Sequence, residues 1–195
     1  MKVLVGLGNP GKKYEGTRHN VGWQVIGEMA VRHGAARPKV KFDAEIAEIS
    51  VAGQKLVLVA PQTYMNASGR SVRQLVDFYQ IAPSDVLVIC DDINLPLAKL
   101  RMRRTGSSGG QKGLENVIQQ LGTPDVPRLR IGVGQPPNGR DAADYVLDRF
   151  GKAEMKEIEV AVRSAADAVE TWVSDGVEKA MNRFNIGCKI GDNPS

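Results

Sequence analysis

Apolar positions along the chain fall into short runs that alternate with helical faces. The run Val3-Leu-Val5 is closed by Gly8-Asn9-Pro10-Gly11 and reads as a buried strand. Proline has no N–H for a ladder and glycine admits positive φ, so the strand stops sharply there. Val21, Val25, Ile26 and Met29 recur at helical spacing, with Asn20 placed as N-cap and His33-Gly34 as the helix end. Residues 44–60 predict a hairpin turning at Ala52-Gly53, whose return strand, 56–59, is continuously apolar. Val72, Leu75, Val76 and Tyr79 mark an amphipathic helix, and residues 86–90 another buried strand. Residues 99–103 alternate basic and apolar, which on a strand puts Lys99, Arg101 and Arg103 on one face and Leu100 and Met102 on the other. A Gly/Ser stretch over 106–113 opens into a helix carrying Leu114, Val117, Ile118 and Leu121. Residues 128–134 predict a strand with Arg128 and Arg130 on one face; 155–173 predict a long amphipathic helix, and a short helix ends near Phe184. The stretch 186–195 reads as a frayed tail. Strands alternating with helices predict an α/β fold: a single domain over residues 1–195, with a mixed, mostly parallel twisted sheet and helices on both faces.

Composition narrows the class. A chain of 195 residues, 42% hydrophobic and 25% charged, buries about 70% of its extended-chain surface in one core. Apolar runs stay well short of the roughly 20 residues a membrane helix needs, and the N-terminus lacks a signal-peptide pattern. A cytoplasmic protein without a membrane partner is expected. The two cysteines, Cys90 and Cys188, suit a reducing compartment, and Cys90, at the end of an apolar strand, reads as a core residue. A net charge of +4 and a pI near 9.1 lean towards an anionic partner.

Four polar residues stand where strands end: Asn9, His19, Asn66 and Asp91. Histidine takes a proton near neutral pH, and a carboxylate such as Asp91 fixes its tautomer. Two asparagine amides suit the placing of a water and donation to a developing oxyanion. No cysteine has an activating partner in sequence, and water activated by His19 is simpler than a covalent intermediate. No metal site is expected, since His19 and His33 lack HExxH spacing and there is no cysteine cluster. Gly6-x-Gly8-x-x-Gly11 mimics a dinucleotide fingerprint, but that motif needs a helix opening at the glycines and an acidic residue ending a second strand about 20 residues on. Here charged residues follow instead, and no cofactor is expected. Lys99, Arg101 and Arg103, with Arg104 and Lys112, flank a Gly/Ser loop feeding a helix N-terminus, an arrangement suited to phosphate. With few aromatics for base stacking, contact with a nucleic-acid backbone should dominate over sequence reading.

Val5-Gly-Leu-Gly-Asn9-Pro-Gly-Lys-Lys-Tyr14-Glu-Gly-Thr-Arg-His19-Asn20-Val-Gly resembles the N-terminal signature of bacterial peptidyl-tRNA hydrolases. The segment running from Pro61 through Tyr64, Met65 and Asn66 to Gly69 is similar to a later motif of that family. So are Asp91-Asp92-Ile-Asn-Leu-Pro96, Gly109-Gly110-x-x-Gly113-Leu114 and Arg128-Leu-Arg130-Ile-Gly-Val-Gly134, in family order. The resemblance implies a monomeric, metal-free hydrolase that cleaves the ester between a nascent peptide and the 3′-terminal ribose of tRNA, recycling tRNA from aborted translation. It implies that His19 activates water, Asp91 orients it, and Asn9 and Asn66 position the ester. Tyr14, Tyr64, Met65, Asn66, Gln111, Lys112 and Leu114 would meet the substrate, while Lys99, Arg101, Arg103 and Arg130 would hold tRNA phosphate. One departure stands out: many members carry His-Asn after the paired glycines, where this chain has Gln111-Lys112. That departure keeps a second reading in view, a splicing-factor-like relative that binds RNA without hydrolysis.

Overall fold

A computed structural model describes residues 1–185; the expected tail and Cys188 lie outside the described residues. Seven strands, β1 (Lys2–Gly6), β2 (Lys39–Lys41), β3 (Ala44–Val51), β4 (Gln54–Pro61), β5 (Val86–Asp92), β6 (Leu100–Arg103) and β7 (Arg128–Gly132), form one sheet in the order β2-β3-β4-β1-β5-β7-β6. The four central strands, β4, β1, β5 and β7, run parallel, and the outer pairings β2–β3, β3–β4 and β6–β7 are antiparallel. The mixed sheet with a parallel core is as the sequence predicts.

Continuous apolar strands follow from burial on both faces. Leu4, Leu58, Leu87, Ile89 and Leu129 face α1 (Val21–Arg32) and α5 (Lys152–Asp175), with α6 (Val177–Phe184) beyond. Their neighbours Val3, Val5, Val57, Val59, Val86 and Val88 face α2 (Ser68–Tyr79) and α3 (Lys112–Leu121). The period of two along each strand thus feeds two cores. Cys90 sits in the second, and burial pushes its thiol up to about 12, so it is a neutral core side chain.

The hairpin turns at Ala52 and Gly53, with φ of 49° and 76°, the positive values a two-residue hairpin turn requires. The helix predicted over 155–173 is longer, Lys152–Asp175. Two elements escaped the sequence reading. β2 is three exposed residues and α4 (Ala142–Val146) five, both too short to show a period. Gly6 and Gly8 of the fingerprint-like pattern have a packing explanation, and Gly11 takes a positive φ of 109°. A Cβ at Gly6 would run into the Gly22 carbonyl, one at Gly22 into the Leu7 backbone, and one at Gly8 into the Trp23 indole. These glycines let α1 lie tight on β1, and α1 opens only at Val21.

Candidate active site

The carboxyl ends of β1 and β5 deliver Asn9 and Asp91 to one rim, and a 3-10 turn over Arg18–Asn20 brings His19 to it. His19 Nδ1 lies 2.9 Å from both carboxylate oxygens of Asp91, which is almost fully buried. A carboxylate only accepts, so the bond network assigns the proton to Nδ1 and leaves the Nε2 lone pair open. Among the described residues Nε2 has no partner, and the ring lines a cavity of about 520 Å³.

Asn9 lines the same cavity and is held at three points. Its Oδ1 accepts from Met65 N at 2.7 Å. Asn20 brackets its main chain: Asn9 N donates to Asn20 Oδ1 at 2.9 Å, and Asn20 Nδ2 donates to Asn9 O at 3.0 Å. The amide of Asn9 therefore has its acceptor end engaged and its donor end, Nδ2, without a protein acceptor among the described residues. A fixed N–H donor lining the same cavity as the open Nε2 of His19 is what an oxyanion-type site needs. Asn20, expected as the N-cap of α1, makes no capping bond; its side chain serves Asn9 instead. An N-cap and a cross-strand bracket carry the same sequence signal, and only the fold separates them.

The turn bearing His19 is pinned by its neighbour. Arg18 donates twice to Glu154, at 3.0 and 2.7 Å, and once to Arg149 O at 2.7 Å. Its guanidinium stacks over Tyr145 at 4.3 Å and Phe150 at 5.1 Å, and its main-chain N–H reaches Asp148 O at 2.9 Å. One nitrogen, Nη2, meets both Glu154 oxygens, while stacking on the rings uses the flat guanidinium. This ties His19 to α4, whose Ala142, Ala143 and Val146 form the opposite wall. Asp141 caps α4 through Ala143 N at 2.7 Å.

The Gly/Ser loop is stitched down by β7. Arg128, nearly inaccessible, donates to the carbonyls of Gly106, Ser107, Pro124 and Val126. Burial, with the Arg130 charge nearby, pushes it down to about 10, so it stays charged at neutral pH. Arg130 pairs with Asp92 at 3.0 Å and donates to Ser107 O at 2.8 Å. Across the β6–β7 ladder Arg101 lies opposite Arg130 and Arg103 opposite Arg128. Four arginines thus share one face, where Asp92 pairs with Arg130 and the carbonyls take up the Arg128 guanidinium. Lys99 sits just before β6, its carbonyl bonded to Gly132 N at 2.7 Å.

Several expected contact residues stand differently. Leu114 is fully buried in the core beneath α3, so its side chain is closed to any substrate, and Met65 is also buried. Met65 works from below: its N–H holds Asn9 and its sulfur lies 3.2 Å from Gln111 Nε2. The Gln111 amide is engaged within the protein at both ends, by Leu114 N at 2.7 Å and by Asp91 Oδ1 at 3.1 Å. Lys112 lines the cavity mouth, paired with Glu115 at 3.2 Å. Asn66, the residue after Met65, is exposed on its 3-10 turn and does not form part of the cavity wall; Tyr64 is exposed and Tyr14 half-buried. Among the described residues no group of three or more His, Cys, Asp or Glu converges as a metal site. Among the described residues the cavity wall holds no Ser, Thr or Cys.

An α/β sheet with a histidine–carboxylate pair and a fixed amide donor at its strand ends defines a hydrolase-type centre. Comparison with known proteins makes this specific. A family profile described as peptidyl-tRNA hydrolase matches residues 3–192. The chain is 50% identical to peptidyl-tRNA hydrolase of Rhodopirellula baltica over 185 residues, covering 95% of this chain and 97% of that protein. It is 50% identical to the Chloroflexus aggregans enzyme over 186 residues, covering 95% and 99%. The crystal structure of peptidyl-tRNA hydrolase from Acinetobacter baumannii superposes with a TM-score of 0.89 at 33% identity, covering 95% of each chain. The chain belongs to the peptidyl-tRNA hydrolase family.

Proposed function

We propose that this protein hydrolyses the ester joining a peptide to the 3′-terminal ribose of tRNA, with His19 as the base. The observation that carries this is the His19–Asp91 pair at 2.9 Å opening onto the cavity that Asn9 also lines. Nε2 takes a proton from water as the oxygen attacks the ester carbonyl, and Asp91 stabilises the imidazolium that forms. Nδ2 of Asn9 donates to the carbonyl oxygen as negative charge develops there. Collapse of the tetrahedral adduct returns the proton to the ribose oxygen, releasing peptide acid and tRNA. Asn66, adjacent to the Met65 that holds Asn9, guides the peptide-bearing end from the rim. Arg101, Arg103 and Arg130 hold tRNA phosphate, and Lys99 and Lys112 extend the positive field. We place it as a cytoplasmic monomer by its likeness to the family.

The test is release of peptide from an N-blocked aminoacyl-tRNA by purified protein and by His19→Ala. Parent turnover and a loss of roughly a thousandfold in the variant, with tRNA binding retained, are expected. Binding without release by the parent protein would instead make the chain an RNA-binding relative.

A further inference from the structure

We propose that Gln111 is a positioning residue for the base: its amide fixes the Asp91 carboxylate, and through it the His19 ring. This rests on the hydrolase reading above. Gln111 is buried at the start of α3, where its Oε1 accepts from Leu114 N at 2.7 Å and caps the helix. That bond decides the amide's orientation, because a backbone N–H requires an acceptor. Nε2 therefore points the other way, to Asp91 Oδ1 at 3.1 Å and Met65 Sδ at 3.2 Å. Asp91 accepts from His19 Nδ1 across both carboxylate oxygens and from Gln111 Nε2 at Oδ1. Against Met65 the same nitrogen touches the residue whose N–H holds Asn9 Oδ1. One amide thus links the helix, the carboxylate that orients the base, and the strut beneath the oxyanion donor.

The side chain is matched to the task. A carboxylate constrained by one donor rotates about its last torsion, whereas two donors from different elements fix its plane and with it the imidazole's. Gln111 is neutral, so it adds a donor without changing the charge that Asp91 presents to His19. A side chain that donates only would hold Asp91 and lose the cap, and one that accepts only would do the reverse. An amide does both.

Gln111→Glu separates positioning from capping. The glutamate keeps an acceptor for Leu114 N, and negative charge suits a helix N-terminus, so the cap survives. Against Asp91 it replaces a donor with a like charge, unless one of the two carboxyls holds a proton. The expected result is a melting temperature within a few degrees of the parent and a kcat lowered about tenfold at pH 8. The deficit should shrink as pH falls towards 6, because a shared proton restores the bond; a capping role alone gives no such pH dependence. A double-mutant cycle supplies the second readout and holds even if Gln111→Glu folds poorly. Gln111→Ala should lower kcat severalfold in the parent and little further in an Asp91→Asn background, since both act through one carboxylate.

Kinetics of Gln111→Glu within twofold of the parent from pH 6 to 9, or equal effects of Gln111→Ala in both backgrounds, would overturn the positioning role. If His19→Ala still abolishes turnover, the hydrolase reading stands and this inference alone falls. If His19→Ala turns over normally, the reading itself has failed, and the positioning role falls with it.

Discussion

Two regions on the same rim of the sheet are built on opposite rules. In the crevice between β1 and β5 nearly every polar group has a fixed partner: His19 with Asp91, Asn9 with Asn20 and Met65, Gln111 with Asp91 and Leu114. On the face of β6 and β7 the charge is left uncompensated. Arg103 and Lys99 have no counter-ion among the described residues, and Asp92 neutralises only Arg130. The difference follows from what each region does. A proton transfer requires sub-ångström placement, so its groups are locked before substrate arrives. Holding a polyanion requires net positive charge, and each counter-ion already present weakens the gain from releasing others. The two regions meet at Arg130, which lines the cavity, pairs with Asp92 and braces the Ser107 carbonyl.

That contrast breaks most visibly at Asp91. Asp91→Asn keeps the shape and removes the charge that stabilises the imidazolium, and an amide can present its N–H to Nδ1 and favour the wrong tautomer. A fall in kcat of a hundredfold or more is expected, with KM little changed. A KM-only defect would mean that Asp91 holds the cleft and not the base.

Asn20 tests whether the lock extends beyond the reacting groups. Asn20→Ala strands the buried N–H and C=O of Asn9, at a cost of about 1–3 kcal/mol in stability. Turnover should fall about tenfold, since the Asn9 amide loses its fixed position. Were Asn20 only a helix cap, stability would drop and the rate per folded molecule would not; thermal melts beside single-turnover rates tell the two apart.

On the basic face the effect should be smaller and of another kind. Arg103→Glu should raise KM for full-length tRNA several-fold and flatten its dependence on log salt by about one phosphate contact, leaving a short ester substrate unaffected. Equal losses on both substrates would place Arg103 in folding. Arg103 is the informative position here, because replacing Arg128 or Arg130 also releases the loop they brace.

Much of this site could be read from order along the chain. Asn9, His19 and Asp91 announce themselves because a parallel strand ends in a loop at the functional rim, and the strands were legible from their apolar runs. What stayed hidden depends on contacts distant in sequence. Arg18 reads as one more charge in a charged turn until Glu154, 136 residues on, folds against it. Asn20 satisfies the pattern for an N-cap while bonding to Asn9. Leu114 belongs to a family motif, yet its helical face turns it into the core. Alternation at residues 99–103 placed Arg101 and Arg103 on one face, and the strand itself starts one residue after Lys99. Helix α4, the cavity's second wall, is five residues long and carries no period to detect.

The most direct test of the central claim, that an Asp91-oriented imidazole sends water to the ester, is a rapid-quench experiment with enzyme in excess over peptidyl-tRNA. Free peptide and free tRNA should appear with one shared rate constant, and that constant should fall about a thousandfold in His19→Ala. Release of tRNA ahead of peptide would mean a covalent acyl-enzyme, and a His19→Ala rate within tenfold of the parent would remove the base; either result contradicts the account.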